Sequence, residues 1–301
     1  MMRLAPIVLF TYNRPVHTRQ TIDALLKNEY ASGSDLIIFS DAPKNDVAEE
    51  GVRQTRIYLK GITGFRSIKI IERAENMGLA ANIIDGVSQV VNEYGRIIVL
   101  EDDLLTSPYF LKYMNEALTM YEHADEVISV HGYIFPIKRK LPESFFIRGT
   151  DCLGWGTWKR GWDLFTPNSA ELLDQIRAHK LEWTFDFSGS YPFMKMLEKQ
   201  ADGSVSSWAV RWYASALLKG KLTLYPGRSL IFHNGSDGSG TNYSGDNALD
   251  VELSDRPIVL ERLLLEEDKN ARKAFIGYFR YAMLWHKIQY RIKSVFQGRK
   301  G

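Results

Sequence analysis

Short apolar runs alternate with helix-like stretches through residues 6–122, and each run ends in polar residues. Pro6-Ile7-Val8-Leu9-Phe10 leads into the loop Thr11-Tyr12-Asn13-Arg14-Pro15. A helical pattern follows over residues 16–28, with Thr21, Ile22, Leu25 and Leu26 at helical spacing. Leu36-Ile37-Ile38-Phe39 ends at Ser40-Asp41, and residues 46–60 read as an amphipathic helix. Ser67-Ile68-Lys69-Ile70-Ile71 precedes a helix over 79–94. Arg96-Ile97-Ile98-Val99-Leu100 ends at Glu101 and precedes a helix over 107–122. Continuous apolar strands alternating with helices predict an α/β, mostly parallel sheet covered on both faces. Such sheets bind ligands at the carboxyl ends of their strands. Residues 11–14, Asp41, residues 76–78 and residues 101–103 all fall at those ends.

Beyond about residue 125 the alternation breaks down. Residues 127–130 and 222–225 read as strands, 205–219 as a helix, and 168–200 as interrupted helix. Residues 144–163 are rich in Gly and Trp, and 233–247 form a polar, Gly-rich loop. No repeat or linker divides the 301 residues, which suffice for one large core. A net charge of +2 gives no argument for a nucleic-acid partner. The lone Cys152 fits a reducing compartment, and no run reaches the roughly 20 apolar residues of a spanning helix. A cytoplasmic location is therefore expected. The basic, aromatic tail over 268–300 leaves two readings open: peripheral contact with an anionic inner membrane face, or a helix packed on the main domain.

The chemistry-bearing residues gather at the strand ends. Glu101-Asp102-Asp103 places three carboxylates together, which repel unless a cation or strong donors compensate. Hard oxygen ligands of this kind suit Mg2+ or Mn2+ on a diphosphate. An isolated acidic triplet is more often a solvated turn, but its place after a buried strand favours the metal. Asp41 can cap a turn or accept a hydrogen bond from a base or ribose. Asn76-Met77-Gly78 opens a helix, where glycine allows close backbone approach and the helix N-terminus favours phosphate. Arg14 is a surface group or a ligand contact.

Together, Val8-Leu9-Phe10-Thr11-Tyr12-Asn13-Arg14-Pro15, Ser40-Asp41, Asn76-Met77-Gly78 and Val99-Leu100-Glu101-Asp102-Asp103-Leu104 resemble the GT-A (Rossmann-like) glycosyltransferase fold. Within it the similarity is to the N-acetylglucosaminyltransferase I type and to bacterial family 2-like sugar transferases. Arg148-Gly149-Thr150-Asp151-Cys152-Leu153-Gly154-Trp155 is similar to that type's segment before its acceptor loop. The resemblance implies a nucleotide-sugar half over 1–125, an acceptor half over 126–265 and a basic amphipathic helical tail over 266–301. It implies nucleotide contacts from Thr11, Asn13, Arg14, Asp41, Asn76 and Gly78, with Asp41 at a uracil. Glu101 and Asp102 would meet donor sugar and ribose, and Asp103 would hold Mn2+ or Mg2+. The expected activity is transfer of a sugar, with inversion, from a nucleotide sugar (a UDP-sugar favoured) to a glycan or lipid-linked acceptor, as in surface polysaccharide assembly.

The family's base is an Asp in a Trp-Asp-Asp-Trp-like segment. The matching stretch here, Val205-Ser206-Ser207-Trp208-Ala209-Val210-Arg211-Trp212, has Ser instead. Asp151 is the favoured substitute, ahead of Asp186 and Asp202. His233 is a structural residue or a second metal ligand, followed by glycines that a closing loop would need. Trp155, Trp158, Trp208 and Trp212 wall an acceptor site or fill the core. A catalytically silent nucleotide-sugar binder is the alternative, because the base position is lost. A sugar-nucleotide pyrophosphorylase would need glycines in the first loop, and Thr-Tyr-Asn-Arg-Pro has none.

Overall fold

A computed structural model describes residues 3–235 and 249–297, with side chains as far as residue 284. Its first part follows the sequence pattern closely. The parallel strands β1 (Ile7–Thr11), β2 (Asp35–Ser40), β3 (Ser67–Glu72) and β4 (Arg96–Glu101) lie in the order β3-β2-β1-β4. Between them run α1 (Pro15–Leu26), α2 (Asp46–Leu59) and α3 (Leu79–Tyr94). Local chemistry sets their ends. Pro15 opens α1 with a preset φ, and Asn45 caps α2 by accepting from the Ala48 N–H. Helix α3 starts after Gly78 and stops at Gly95, both at positive φ (70° and 80°).

Strand alternation divides the core between two faces. Ile7, Leu9, Leu36, Ile38, Ile98 and Leu100 pack on one side with α4 (Phe110–Met120), while Val8, Phe10, Ile37, Phe39, Ile97 and Val99 pack on the other with α3. At the open ends, Arg56 of α2 donates to the carbonyls of Ser40, Asp41 and Arg73. Arg73 in turn reaches Asn82 and Asp85 of α3. These bonds fix the ends of β2 and β3 relative to α3.

The second part is less regular. After β5 (Leu104–Thr106) come α4, β6 (Val127–His131), β7 (Ser144–Ile147), β8 (Trp155–Trp158), α5 (Lys159–Trp162), α6 (Ser169–Ala178), α7 (Glu182–Phe185), α8 (Phe193–Ala201), α9 (Trp208–Leu218), β9 (Leu222–Pro226) and β10 (Ile231–His233). The large sheet has eight strands, in the order β3-β2-β1-β4-β8-β6-β9-β7. Strand β8 is antiparallel to both β4 and β6, and β7 is antiparallel to β9, so the parallel character of the first half gives way to a mixed sheet. The Gly/Trp-rich stretch thus supplies a central strand rather than only a loop. Strands β5 and β10 form a separate antiparallel ribbon in which His233 pairs with Leu104.

The tail forms α10 (Lys269–Gln297), and its start is anchored: Phe275 and Phe279 are 1% and 4% exposed in a cluster with Phe145, Phe187, Tyr213 and Tyr225. Tyr281 and Leu284 are 63% and 58% exposed. The side chains beyond, Trp285 and Tyr290 among them, lie outside the described residues. No helix among the described residues is long and apolar enough to cross a membrane.

Gly132 joins the two halves at the end of β6. Its N–H donates to Gly154 O (2.7 Å) and its carbonyl accepts from Leu230 (2.8 Å). A Cβ there would lie 2.5 Å from the buried Phe110 ring and 3.0 Å from Gly154 O. Gly132→Ala is expected to lower stability by about 1–3 kcal/mol. The readout is an earlier urea midpoint with unchanged slope; an unmoved midpoint would contradict this packing.

Candidate active site

Strand β1 lies between β2 and β4, and the chain order reverses there. A crevice outside the carboxyl ends of β1 and β4 is the ligand position that such a reversal creates. The loop after β1 carries Arg14, and the turn after β4 carries Asp102 and Asp103. Arg14 closes the gap: its Nη2 lies 2.5 Å from Asp102 Oδ1 and 2.7 Å from Asp103 Oδ2. Asp102 Oδ2 also accepts from the Tyr12 N–H (3.1 Å), and its carbonyl accepts from the Thr21 hydroxyl (2.9 Å).

The ribbon of β5 and β10 completes the corner. Pairing of His233 with Leu104 brings the imidazole next to the acidic turn, with His233 Nε2 3.4 Å from Asp103 Oδ2. The Asn234 N–H donates to the Asp103 carbonyl (3.0 Å). A Cβ on Gly235 would overlap Asp103 Oδ2 and lie 2.9 Å from His233 Nε2, so only glycine leaves this corner open.

The three carboxyls do not share one charge state. Burial pushes Glu101 up to about 8, and repulsion from Asp103 and Asp102 adds to it, with Arg14 opposing. Burial also raises Asp102, against the pull of Arg14. Burial works the same way on Asp103, but the His233 hydrogen bond and Arg14 outweigh it and hold the carboxyl down at about 2. Arg14 is raised, because its two carboxylate partners outweigh the effect of burial. Glu101 therefore holds its proton more tightly than an ordinary carboxyl, and Asp103 is the firm anionic pole.

An aspartate oxygen and an imidazole nitrogen on one open corner suit a divalent cation such as Mn2+. Among the described residues no group of three or more His, Cys, Asp or Glu is arranged to hold a metal.

Asp41, buried at the end of β2, is fully engaged. Its Oδ1 accepts from the N–H groups of Ala42 and Met77 (both 2.9 Å). Its Oδ2 accepts from the Gly78 N–H (3.0 Å) and Asn76 Nδ2 (3.2 Å). A carboxylate offers about four acceptor positions, and these donors fill them. Asp41 thus pins the segment that starts α3, and Asn76 Nδ2 adds a bond to Ala42 O (2.7 Å). Thr11 is buried at the end of β1; its carbonyl accepts from the Asp41 N–H, and its Oγ1 has no hydrogen-bond partner among the described residues. The Asn13 carbonyl presses on α2 at Gly51, where a Cβ would come within 2.5 Å.

Asp151 lies just before β8, on the segment that continues past the Val99–Trp155 pair along the end of β4. Its Oδ1 accepts from the Cys152 N–H (2.7 Å). Burial raises the Cys152 thiol well above its ordinary value, and the negative charges of Asp151, Glu101 and Asp103 push it further. Asp186 and Asp202 have local structural roles, accepting from the N–H groups of Met194 and Ser204. The Ser207 hydroxyl caps α9 by accepting from Val210 (3.4 Å). The tryptophans do not wall an acceptor site: Trp155, Trp158, Trp208 and Trp212 are all buried, and Trp155 stacks on Trp208 with centroids 5.2 Å apart. Of the loop expected over 233–247, residues 236–247 lie outside the described residues.

The contacts that Tyr12, Thr21 and Gly235 make at the acidic turn are not visible in the sequence. Tyr12 and Thr21 act through a backbone N–H and a helix-buried hydroxyl, which carry no motif. Gly235 was signalled only by its place after His233-Asn234.

No curated protein matches the chain. Among solved structures it is similar to S. aureus TarS, at 14% identity and a TM-score of 0.34, over 48% of this chain and 24% of that one. It is similar to a putative nucleotide-diphospho-sugar transferase from Desulfovibrio desulfuricans G20 (14% identity, TM-score 0.35, 53% of this chain and 66% of that one). It is also similar to the mannosyltransferase PcManGT from Pyrobaculum calidifontis, solved with GDP-Man and Mn2+ (12% identity, TM-score 0.38, 72% and 75%). The chain thus spans about a quarter of the length of TarS. The sequence model of glycosyl transferase family 2 matches residues 7–183, which is more than half of the chain. With the α/β sheet and the acidic turn at its switch point, this establishes a GT-A glycosyltransferase that belongs to glycosyl transferase family 2.

Proposed function

We propose that this enzyme is a divalent-cation-dependent, inverting transferase that moves a sugar from a nucleotide-sugar donor to a glycan or lipid-linked acceptor. A UDP-sugar is the favoured donor, and surface polysaccharide assembly is the favoured setting. The observation that carries this reading is the convergence of Arg14, Asp103 and His233 at the carboxyl end of β4. Residues 1–125 would hold the donor, 126–265 the acceptor, and 266–301 a basic tail.

Asp103 and His233 would hold Mn2+ or Mg2+. Once bound, the ion would supply positive charge to the leaving diphosphate. The remaining roles belong to the chain itself. Arg14 offers a guanidinium to phosphate oxygens. Thr11, Asn13, Asn76 and Gly78 line the nucleotide side, with Asp41 shaping it through the 76–78 segment. Glu101 and Asp102 face ribose and donor sugar. The acceptor hydroxyl attacks the anomeric carbon, the bond to the nucleoside diphosphate breaks, and the hydroxyl proton passes to the Asp151 carboxylate.

A second reading, a silent nucleotide-sugar binder, is favoured by Ser207. That residue stands where the family's base is expected, and its hydroxyl is spent on capping α9. Turnover separates the two readings. Asp151→Asn is expected to abolish transfer while leaving donor affinity within about twofold, as expected for a group that acts mainly in the transition state. Full turnover by Asp151→Asn would exclude Asp151 as the base. Asp103→Ala is expected to remove the Mn2+ dependence of UDP binding in calorimetry; an unchanged Mn2+ effect would reject the metal assignment.

The tail carries nine Lys or Arg and no Asp or Glu over residues 269–301. This supports peripheral contact of its distal part with an anionic membrane, at about 1 kcal/mol per basic side chain near the surface. The full chain is expected to co-sediment with phosphatidylglycerol vesicles and not with phosphatidylcholine vesicles. A chain ending at residue 283 should lose that binding and stay folded; retained binding would place the contact elsewhere.

A further inference from the structure

The acidic corner has one oxygen with two claims on it. Asp103 Oδ2 accepts from Arg14 Nη2 at 2.7 Å, and it is also the oxygen 3.4 Å from His233 Nε2. A divalent ion held by Asp103 and His233 would need this same corner. A guanidinium and a metal ion cannot share it closely, because both are positive and each requires the oxygen's lone pairs.

Arg14 is also under-used where it sits. A guanidinium normally presents two nitrogens in a fork. Here Nη2 serves both Asp102 and Asp103, while Nη1 is buried with no hydrogen-bond partner among the described residues. The backbone of Arg14 is held at the start of α1, where its carbonyl accepts from the Thr18 N–H (3.0 Å) and the Thr18 hydroxyl (2.9 Å). Only the side chain is left to move. The carboxylates in turn need a positive partner whenever no metal ion is bound, since burying them unpaired is costly.

We infer that Arg14 is a built-in stand-in for the divalent cation: it bridges Asp102 and Asp103 in the cation-free protein, releases Asp103 Oδ2 when the ion binds, and turns its freed guanidinium to the phosphates of the donor. Cation and nucleotide then bind with positive coupling, because the ion displaces Arg14 and the diphosphate gives it a new partner. This rests on the reading of Asp103 and His233 as cation ligands.

The test is a calorimetric titration with Mn2+ alone, without nucleotide, repeated with UDP at saturation. The wild type is compared with Arg14→Met, Arg14→Lys and Asp103→Asn. Arg14→Met is expected to bind Mn2+ alone about tenfold or more tightly than wild type, within the usual range of site–site coupling. UDP should tighten Mn2+ binding in wild type and much less in Arg14→Met. Arg14→Lys keeps the charge on a shorter side chain whose ammonium reaches the two carboxylates less well, so it should also bind Mn2+ alone more tightly than wild type. It covers the case in which Arg14→Met fails to fold.

Equal or weaker Mn2+ binding by both Arg14 variants would overturn the inference. So would Arg14→Lys matching wild type while Arg14→Met binds tighter, since Arg14 would then act only as background charge. Mn2+ binding that Asp103→Asn leaves unchanged would instead reject the metal assignment beneath it.

Discussion

Three successive carboxyl groups at the end of a buried strand cannot all be charged without compensation, and much of this molecule is arranged around that constraint. For Glu101, burial and its two acidic neighbours favour the neutral form, pushing the carboxyl up to about 8. The other two are held by Arg14, which reaches across from the loop after β1. This pairing requires β1 and β4 to be neighbours, and their parallel register places both loops on one edge. Backbone and hydroxyl donors from Tyr12 and Thr21 fix the turn, and the β5–β10 ribbon adds His233. A switch-point crevice thus acquires an anionic floor with a cationic clamp.

The first half of this arrangement is legible because β1, β2 and β4 are buried on both faces and end abruptly in polar residues. Strands β1, β2 and β4 are runs of Ile, Val, Leu and Phe, and β3, the edge strand, could be placed despite Lys69. The second half was not legible in the same way. Trp155-Gly156-Thr157-Trp158 has a glycine and two large rings and shows no strand pattern, yet it is the strand that pairs with both β4 and β6. Its glycine is a packing requirement, since a Cβ would lie 2.9 Å from both Ile97 O and the Met114 methyl. Trp155, Trp208 and Trp212 fill the space between α9 and the sheet instead, and Trp158 packs on the other face beside α4. The short strands β5 and β10 have only three residues each, and their pairing depends on long-range contact.

At the site, residue types were legible but their division of labour was not. Asp41 was read as a contact to base or ribose, and its four acceptor positions turn out to be filled by protein donors. Arg14 was read as a nucleotide contact, and in the structure it is bound to the acidic turn. Sequence position cannot reveal which oxygen a guanidinium occupies, because that depends on side chains 88 and 89 positions apart. Strand β8 is a similar case: it runs antiparallel to β4, a pairing that no local pattern announces, and Asp151 lies four residues before Trp155, which pairs with Val99.

The central claim is that this crevice transfers a sugar. The most direct measurement is proton NMR of the protein incubated with a panel of nucleotide sugars, with and without a divalent cation, following the anomeric signals over time. Cation-dependent loss of one donor, release of its nucleoside diphosphate and a product of inverted anomeric configuration are the predicted result. Binding of a donor with no turnover, equal turnover in the presence of a chelator, or a product of retained configuration would contradict it.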